Sequence, residues 1–252
     1  LTHPLSSISC NPAATGMQFI STQSFVAPNA GLASIPKGHI TPIVASDGGI
    51  RKVPAFICVD DRPYPALALS ALLQATLSEN WSATVSAGES LLGPAQILRL
   101  ESYPGLDIPL DAEGNMRISY SSLLSNYRAI SAVDLLNCSV EPGVLENTWA
   151  LVGVTAFGQG DIVPTPFSGA TPGVELQARI LGSLLDVNMP YTPRAANGLL
   201  GFLSLIFAVL LFGLASAQGR WSAYGLPAAS VAFPLVALAL HIQLLGGAAI
   251  WL

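Results

Sequence analysis

Two side chains suited to ligand binding, Asp161 and Thr165, lie in the loop that follows a predicted strand ending at Thr155. A carboxylate and a hydroxyl in a constrained loop beyond a central strand are well placed to line a ligand crevice. Thr155, Asp161 and Thr165 are therefore the predicted ligand-binding residues. An equally simple interpretation is that Asp161 accepts hydrogen bonds from backbone N–H groups and holds the loop.

The glycines of this loop do not predict a phosphate site. Gly153, Gly158 and Gly160 lack the G-x-G-x-x-G spacing of a dinucleotide-binding loop, and no G-x-x-x-x-G-K-[ST] sequence occurs. Asp161 places a negative charge where a phosphate would lie. A nucleotide-binding function is therefore not expected.

No pattern of polar residues predicts catalysis or a metal. His39 is a potential base, but a turn histidine bonded to the backbone is the simpler interpretation. Neither a G-x-S-x-G nucleophile motif nor an H-E-x-x-H zinc motif is present. We expect no catalytic residues, no metal and no cofactor.

The three cysteines, Cys10, Cys58 and Cys138, have no zinc-ligand spacing. Cys58 lies in a predicted strand, which favours a buried thiol. A disulfide between two of the three is the alternative if the domain is extracytoplasmic.

Apolar runs predict the sheet that positions the loop. Residues 149–154 form a continuous run typical of a buried central strand, and 53–59 and 116–120 are expected in the same sheet. An Asp-Gly-Gly sequence at 47–49 predicts a hairpin turn. The predicted fold class is α/β, with a central mixed sheet flanked by helices and followed by transmembrane helices.

Helices are predicted at 64–79, with Pro65 in the first turn, and at 130–137, with Ser131 as N-cap. A third helix is predicted at 173–187. Thr171 is the expected N-cap and Pro172 the expected first helical residue, and Glu175 and Arg179 have the spacing of an ion pair. Its predicted apolar face consists of Val174, Ala178, Leu181 and Leu185.

The C-terminal region is apolar and predicts membrane spans. Residues 195–217 contain no charged side chain in 23 positions and would reach roughly 35 Å as a helix, enough to cross a bilayer core. A second span is predicted at about 224–240 and the start of a third at 244–252. Residues 1–194 are therefore predicted to form one polar domain and 195–252 a transmembrane region.

Charge patterning agrees with this division. The chain is 51% hydrophobic and 10% charged, against about 25% charged in soluble domains. Apart from Arg220, all charged residues lie at or before Arg194, and these nine basic and 15 acidic residues give a net charge of −6. This acidity argues against nucleic acid as a partner. The missing initial Met and the apolar C-terminus are typical of a piece of a longer chain.

Several segments together resemble the CHASE2 domain family. LVGVTAFGQGDIVPTPFSGATPGVELQARILGSLL, residues 151–185, is similar to its G-x-T-A-x-G-x-x-D loop, T-P-F element and P-G-V-E helix start. GHITPIVASDGGIRKVP, residues 38–54, is similar to its G-H-x-x-x-x-x-x-D-G-x-x-R-x-x-P segment. YPALALSAL, IPLDAEGNMRISY and ISAVDLL also occur in the family's order. The resemblance covers roughly residues 38–252; the family's N-terminal span and first strands are absent.

The resemblance implies a sensor. CHASE2 domains are extracytoplasmic input modules of bacterial receptors, so it implies a multi-pass inner-membrane protein with a periplasmic domain. The signal would pass through the spans to a cytoplasmic output module, which this chain lacks. Implied partners are the lipid bilayer, a second copy or other membrane-protein subunits, and a small-molecule ligand. The alternative is a non-catalytic structural or accessory subunit that uses the domain for docking.

Overall fold

The computed structural model describes residues 7–11, 16–24, 26, 30–32, 35–76, 81–120, 127–156 and 161–216. The strands are β1 (Ile20–Thr22), β2 (Ile43–Val44), β3 (Ile50–Pro54), β4 (Phe56–Val59), β5 (Arg62–Pro65), β6 (Ala83–Ala87), β7 (Gln96–Leu100), β8 (Asp107–Leu110), β9 (Asn115–Arg117), β10 (Ile162–Val163) and β11 (Thr171–Pro172). The helices are α1 (Leu67–Ala75), α2 (Ala132–Leu136), α3 (Gly173–Leu185) and α4 (Ala196–Ser216), and a 3₁₀ turn covers Ala30–Leu32.

The described strands form small sheets instead of one central sheet. Three sheets have three strands each, in the orders β1-β4-β5, β2-β3-β9 and β6-β7-β8, and β10 pairs with β11. The first is mixed, because β1 runs parallel to β4 and β5 runs antiparallel to it. The α/β class is confirmed, but the single central mixed sheet was wrong.

The predicted strand 53–59 divides at Ala55. Strand β3 ends at Pro54, and Ala55 connects it to β4 in the neighbouring sheet. Ala55 N–H donates to Gly114 O at 3.0 Å, and Ala55 O accepts a hydrogen bond from Ala66 N at 2.9 Å. Proline fixes φ and lacks the N–H that would continue a ladder, which explains the break. Of the predicted strand 116–120, only the part within β9 is a strand, and it pairs with β3 as expected.

Residues 149–154 are not a strand, which corrects the central-strand prediction. The segment is irregular, and its apolar side chains are exposed, Val152 by 97%. Both edges of β3 are occupied by β2 and β9, and both edges of β4 by β1 and β5. The segment also pairs with none of the outer strands of the described sheets, so its backbone gains no ladder hydrogen bonds.

The predicted hairpin at 47–49 is confirmed. Strand β2 pairs antiparallel with β3, with Val44 opposite Ile50. Gly48 has a φ of +82°, a conformation that favours glycine. Asp47 stabilises the turn because its Oδ1 accepts a hydrogen bond from Gly49 N at 3.0 Å.

The helices are shorter than predicted. Helix α1 begins at Leu67 because Pro65 lies in β5 opposite Phe56, so the placement of Pro65 in the first turn was wrong. Helix α2 is capped as predicted: Ser131 Oγ accepts from Val133 N at 3.3 Å. The predicted residues 77–79 lie outside the described part of the chain.

Helix α3 confirms the third predicted helix but turns a different face inward. Leu181 is buried as expected, whereas Leu185 is exposed. The buried apolar side chains are Leu176, Ile180, Leu181 and Leu184. This face packs on α1 over a core that includes Phe56, Leu69, Leu72, Leu73, Leu98, Ile108, Leu110 and Met116.

Cys10 and Cys58 form a disulfide, and Cys138 is free and exposed. Cys58 is buried as expected, but it is bonded in the disulfide, so the expectation of a thiol was wrong. The bridge links the N-terminal segment to the middle strand of the β1-β4-β5 sheet. Its partners are 48 residues apart, a separation that gave no sequence signal.

Helix α4 covers most of the first predicted membrane span. Within the described residues, no helix combines the length and the apolar character needed to cross a membrane. The span at 195–217 therefore stays a prediction. The predicted segments 224–240 and 244–252 lie outside the described residues.

Candidate functional site

The loop with Asp161 and Thr165 folds back on itself before α3. Strands β10 and β11 pair antiparallel, with Val163 opposite Thr171. Between them a tight turn is closed by Thr165 N, which donates to Ser168 O at 2.7 Å. The turn at Thr165–Ser168 reverses the chain between the two strands.

Asp161 caps α3, but through its backbone. Its carbonyl oxygen accepts a hydrogen bond from Gly173 N at 2.7 Å, which satisfies a free N–H at the helix start. The carboxylate lies beside the same residue: a Cβ added to Gly173 would lie 2.8 Å from Asp161 Oδ2. A negative charge here is favoured by the helix dipole. The predicted roles of Thr171 as N-cap and Pro172 as first helical residue were wrong, because both residues lie in β11 and Pro172 takes the N-cap position.

Thr165 is bonded inside the loop. Its hydroxyl lies 3.2 Å from the hydroxyl of Thr171 and also contacts Ser168 O at 3.2 Å. These bonds join the two arms of the hairpin. Asp161 and Thr165 therefore belong to one ordered loop at the start of α3.

Thr155 lies on the exposed segment that precedes this loop. Two residues earlier, Gly153 passes close to α3, since a Cβ there would lie 2.4 Å from Val174 Cβ. The segment of Thr155 and the residue Asp161 thus both approach the first turn of α3. In the described part of the chain, Thr155 makes no hydrogen bond with Asp161 or Thr165. Residues 157–160, which connect them, lie outside that part.

Tyr120 joins this loop to β3 and α3. Its hydroxyl donates to Ile50 O at 2.6 Å, and Ile50 N donates to Pro164 O at 3.0 Å. Its ring lies 5.7 Å from that of Phe167, and the Arg179 guanidinium lies 5.4 Å from the ring centre. Burial raises the pKa of Tyr120 to about 12, so the phenol stays protonated and donates. The role of Tyr120 had no local sequence signal.

Two arginines flank this junction, and each is paired with a carboxylate four residues away. The Glu175–Arg179 pair was predicted and is present at 3.2 Å. Arg51 holds Asp47 through both terminal nitrogens, at 2.8 Å and 2.6 Å. Hydrogen bonds from Arg51 hold the pKa of Asp47 well below its usual range. Each pair is local to its own element, the hairpin or α3, whereas the contacts of Tyr120 and the Ile50–Pro164 hydrogen bond join the elements.

His39 lies at the start of α1, where its backbone bridges two elements. Its N–H donates to Pro65 O at 2.9 Å, and its carbonyl accepts from Leu67 N at 2.8 Å. Both ring nitrogens are enclosed and make no hydrogen bond. Burial lowers the pKa of His39 to about 4, and the nearby Pro54 backbone opposes this by less. The expected turn histidine bonded to the backbone was wrong: His39 lies in an isolated β-bridge with Ala66, and its ring nitrogens make no hydrogen bond.

Across the described ranges, no three His, Cys, Asp or Glu side chains lie close enough together to hold a metal ion. The arrangement around α3 is one of ordered loops and locally paired charges. The CHASE2 domain family profile matches residues 14–215, which is most of the chain.

The chain therefore belongs to the CHASE2 domain family, a family of sensory extracytoplasmic domains. The match begins before residue 38, where the sequence resemblance starts, and ends before residue 252. No curated protein matches the chain, and no solved structure does.

Proposed function

We propose that this chain is the periplasmic input domain of a bacterial membrane receptor. It is anchored in the inner membrane through 195–217 and passes a signal along that segment to a cytoplasmic output module. Family membership supports the sensory role. The Cys10–Cys58 disulfide supports an oxidising compartment. Anchoring is supported by the 23 uncharged residues of 195–217.

The observation that carries the relay is the attachment of the connector between α3 and α4. Arg194 N donates to Gly93 O at 2.9 Å, and Ala195 N donates to Leu91 O at 3.0 Å. Both acceptors lie in the loop between β6 and β7. The first residue before α4 is thus bonded to the folded domain, so a displacement of this loop moves the start of α4.

The end of α3 is also fixed in geometry. Val187 N bonds to Leu184 O at 3.3 Å, and Asn188 N bonds to Ser183 O at 3.0 Å, the paired bonds of a Schellman motif. Val187 has a φ of +51°, where a β-branched residue is strained. Such a conformation persists only where its surroundings hold it. A connector fixed at both ends transmits motion better than a flexible linker.

The ligand of this sensor is proposed to contact Asp161 and Thr165, with Thr155 at the edge of the same site. All three lie on or next to the loop that precedes α3, so a ligand there acts directly on the helix that leads to the connector. We propose no catalytic residue, metal or cofactor for this chain.

The relay is tested by inserting Gly-Ser-Gly-Ser after Asn188 in the intact receptor. Output measured with and without stimulus should become uncoupled, because the insertion breaks the fixed path from α3 to α4. The same insertion after Gly143, an exposed turn residue with a φ of +86°, is the matched control and should leave signalling intact. Unchanged signalling after the Asn188 insertion contradicts the relay.

A docking subunit is the second proposed function, and one observation favours it. Trp149, Val152 and Val154 expose apolar side chains on one short segment, a feature of association surfaces. Under this proposal the occupant is a second copy of the chain. Two differently tagged copies should co-purify, and Val152→Glu should reduce that yield. Co-purification that Val152→Glu leaves unchanged contradicts this surface.

A further inference from the structure

Arg117 in β9 carries a half-buried charge without a partner. Among the described residues its side chain makes no hydrogen bond and no ion pair, and its Nε is fully enclosed without an acceptor. Burial lowers the pKa of Arg117, the negative charge of Asp111 opposes this by less, and the positive charge of Arg51 adds a smaller lowering. The enclosed Nε lacks an acceptor, and the half-buried guanidinium can still receive one from outside the described chain.

The neighbouring carboxylate of Asp111 is already saturated. Its Oδ1 accepts from the backbone N–H groups of Glu113 at 3.1 Å and Asn115 at 2.8 Å. Its Oδ2 accepts from Lys52 Nζ at 2.7 Å and Asn115 Nδ2 at 3.1 Å. A carboxylate offers about four lone-pair sites, and all four are used. Asp111 attracts Arg117 at a distance but accepts none of its N–H groups.

The sheet places a second cation beside Arg117. Lys52 in β3 lies directly opposite Arg117 in β9, so the two side chains leave the same face of the sheet. The Lys52 side chain is 32% exposed while that of Asp111 is 11% exposed, so the lysine marks the solvent-facing edge. Two cations and one saturated carboxylate leave this face with a net positive charge in a domain that is acidic overall.

We propose that Arg117 anchors a binding site for a small oxyanion-bearing ligand, a carboxylate or a phosphate, with Lys52 at its rim. The five N–H donors of a guanidinium match the two oxygens of such a group in a bidentate pair. The site lies on β3 and β9, apart from the Asp161 loop. It does not depend on the relay proposed above, because binding is measured without output.

The test uses the purified full chain, titrated separately with inorganic phosphate and with acetate at constant ionic strength set by chloride. Thermal melts and calorimetry should give a saturable response to at least one anion. Arg117→Met should abolish it. Without anion, this variant should melt at or above the wild-type temperature, because the unpaired buried charge is gone. Arg99→Met, which removes an arginine paired with Asp107 on another sheet, is the matched control and should keep the response.

Arg117→Lys tests the site if the methionine variant does not fold. Lysine keeps the positive charge but lacks the paired N–H donors of the guanidinium, so affinity for the anion should fall about 10-fold or more. A response to phosphate alone assigns a phosphate ligand, and one to acetate alone assigns a carboxylate. No saturable response in the wild type, or an equal response in Arg117→Met, overturns the proposal, whereas the relay is judged by receptor output.

Discussion

One residue near the start of α1, His39, makes the stability of the domain depend on pH. The His39 ring is enclosed and unbonded, and burial lowers its pKa to about 4 from an ordinary 6.5. The folded state therefore binds this proton less readily than the unfolded state. Between pH 6.5 and 4 the unfolded chain holds more protons, so stability falls as the pH falls through this window.

We expect His39→Leu to flatten this dependence. Wild type should lose about 2 kcal/mol more unfolding free energy than the variant between pH 7 and pH 4.5. Leucine fits the interpretation because the ring makes no hydrogen bond that the substitution would remove. Urea titrations of both proteins at the two pH values measure the difference. Parallel losses in the two proteins would assign the acid sensitivity to other groups.

At the scale of elements, the irregular segment 149–156 is positioned by helix α3. Gly153 lies against Val174, and a Cβ at Gly153 would approach the Val174 Cβ, Cγ2 and Cγ1 atoms to 2.4, 2.6 and 2.9 Å. The Cβ of Val174 is attached directly to the helix backbone, so it cannot move aside cheaply. The segment is thus held by close contact where a sheet ladder was predicted.

Gly153→Ala should destabilise the domain by about 1–3 kcal/mol, because overpacking forces α3 and the segment apart. Gly169→Ala is the matched control in the following loop, where an added Cβ meets no atom within 4 Å. Its effect should stay within about 0.5 kcal/mol. Denaturant unfolding of the two variants provides the comparison. A Gly153→Ala protein as stable as the control would contradict this docking contact.

At the scale of the whole molecule, the disulfide joins the N-terminal segment to the core. Cys58 is 1% exposed in β4, whose parallel neighbour β1 comes from the same N-terminal region. The bridge spans 48 positions, so it removes much of the freedom of the unfolded chain. The pairing therefore connects stability to the redox state of the compartment.

Reduction of the disulfide, or the double variant Cys10→Ser with Cys58→Ser, should lower the unfolding free energy by about 4 kcal/mol for this loop length. Cys138→Ser is the control, because that thiol is free and exposed, and it should leave stability unchanged. Melts with and without reductant measure both effects. If reductant does not change the melting temperature of wild type, the bridge does not support the fold.

The sequence by itself determined the features that depend on neighbouring residues. The hairpin at 47–49, the Ser131 cap, the Glu175–Arg179 pair and the helix near 173–187 each involve groups a few positions apart. Glycine conformation, capping and helical spacing act over that range. The ordered sequence motifs also led to the CHASE2 family, which the family match confirms.

Only the tertiary structure decided the features that depend on distant partners. An apolar run such as 149–154 is compatible with a central strand, but in the folded chain it pairs with none of the described strands. Cys58 pairs with Cys10, which is 48 positions away. The Tyr120 hydroxyl donates to Ile50 O, which is 70 positions away. The Arg117 side chain lacks a partner because other donors occupy the four lone pairs of Asp111. Such contacts follow from which elements meet, and residue type alone does not specify that.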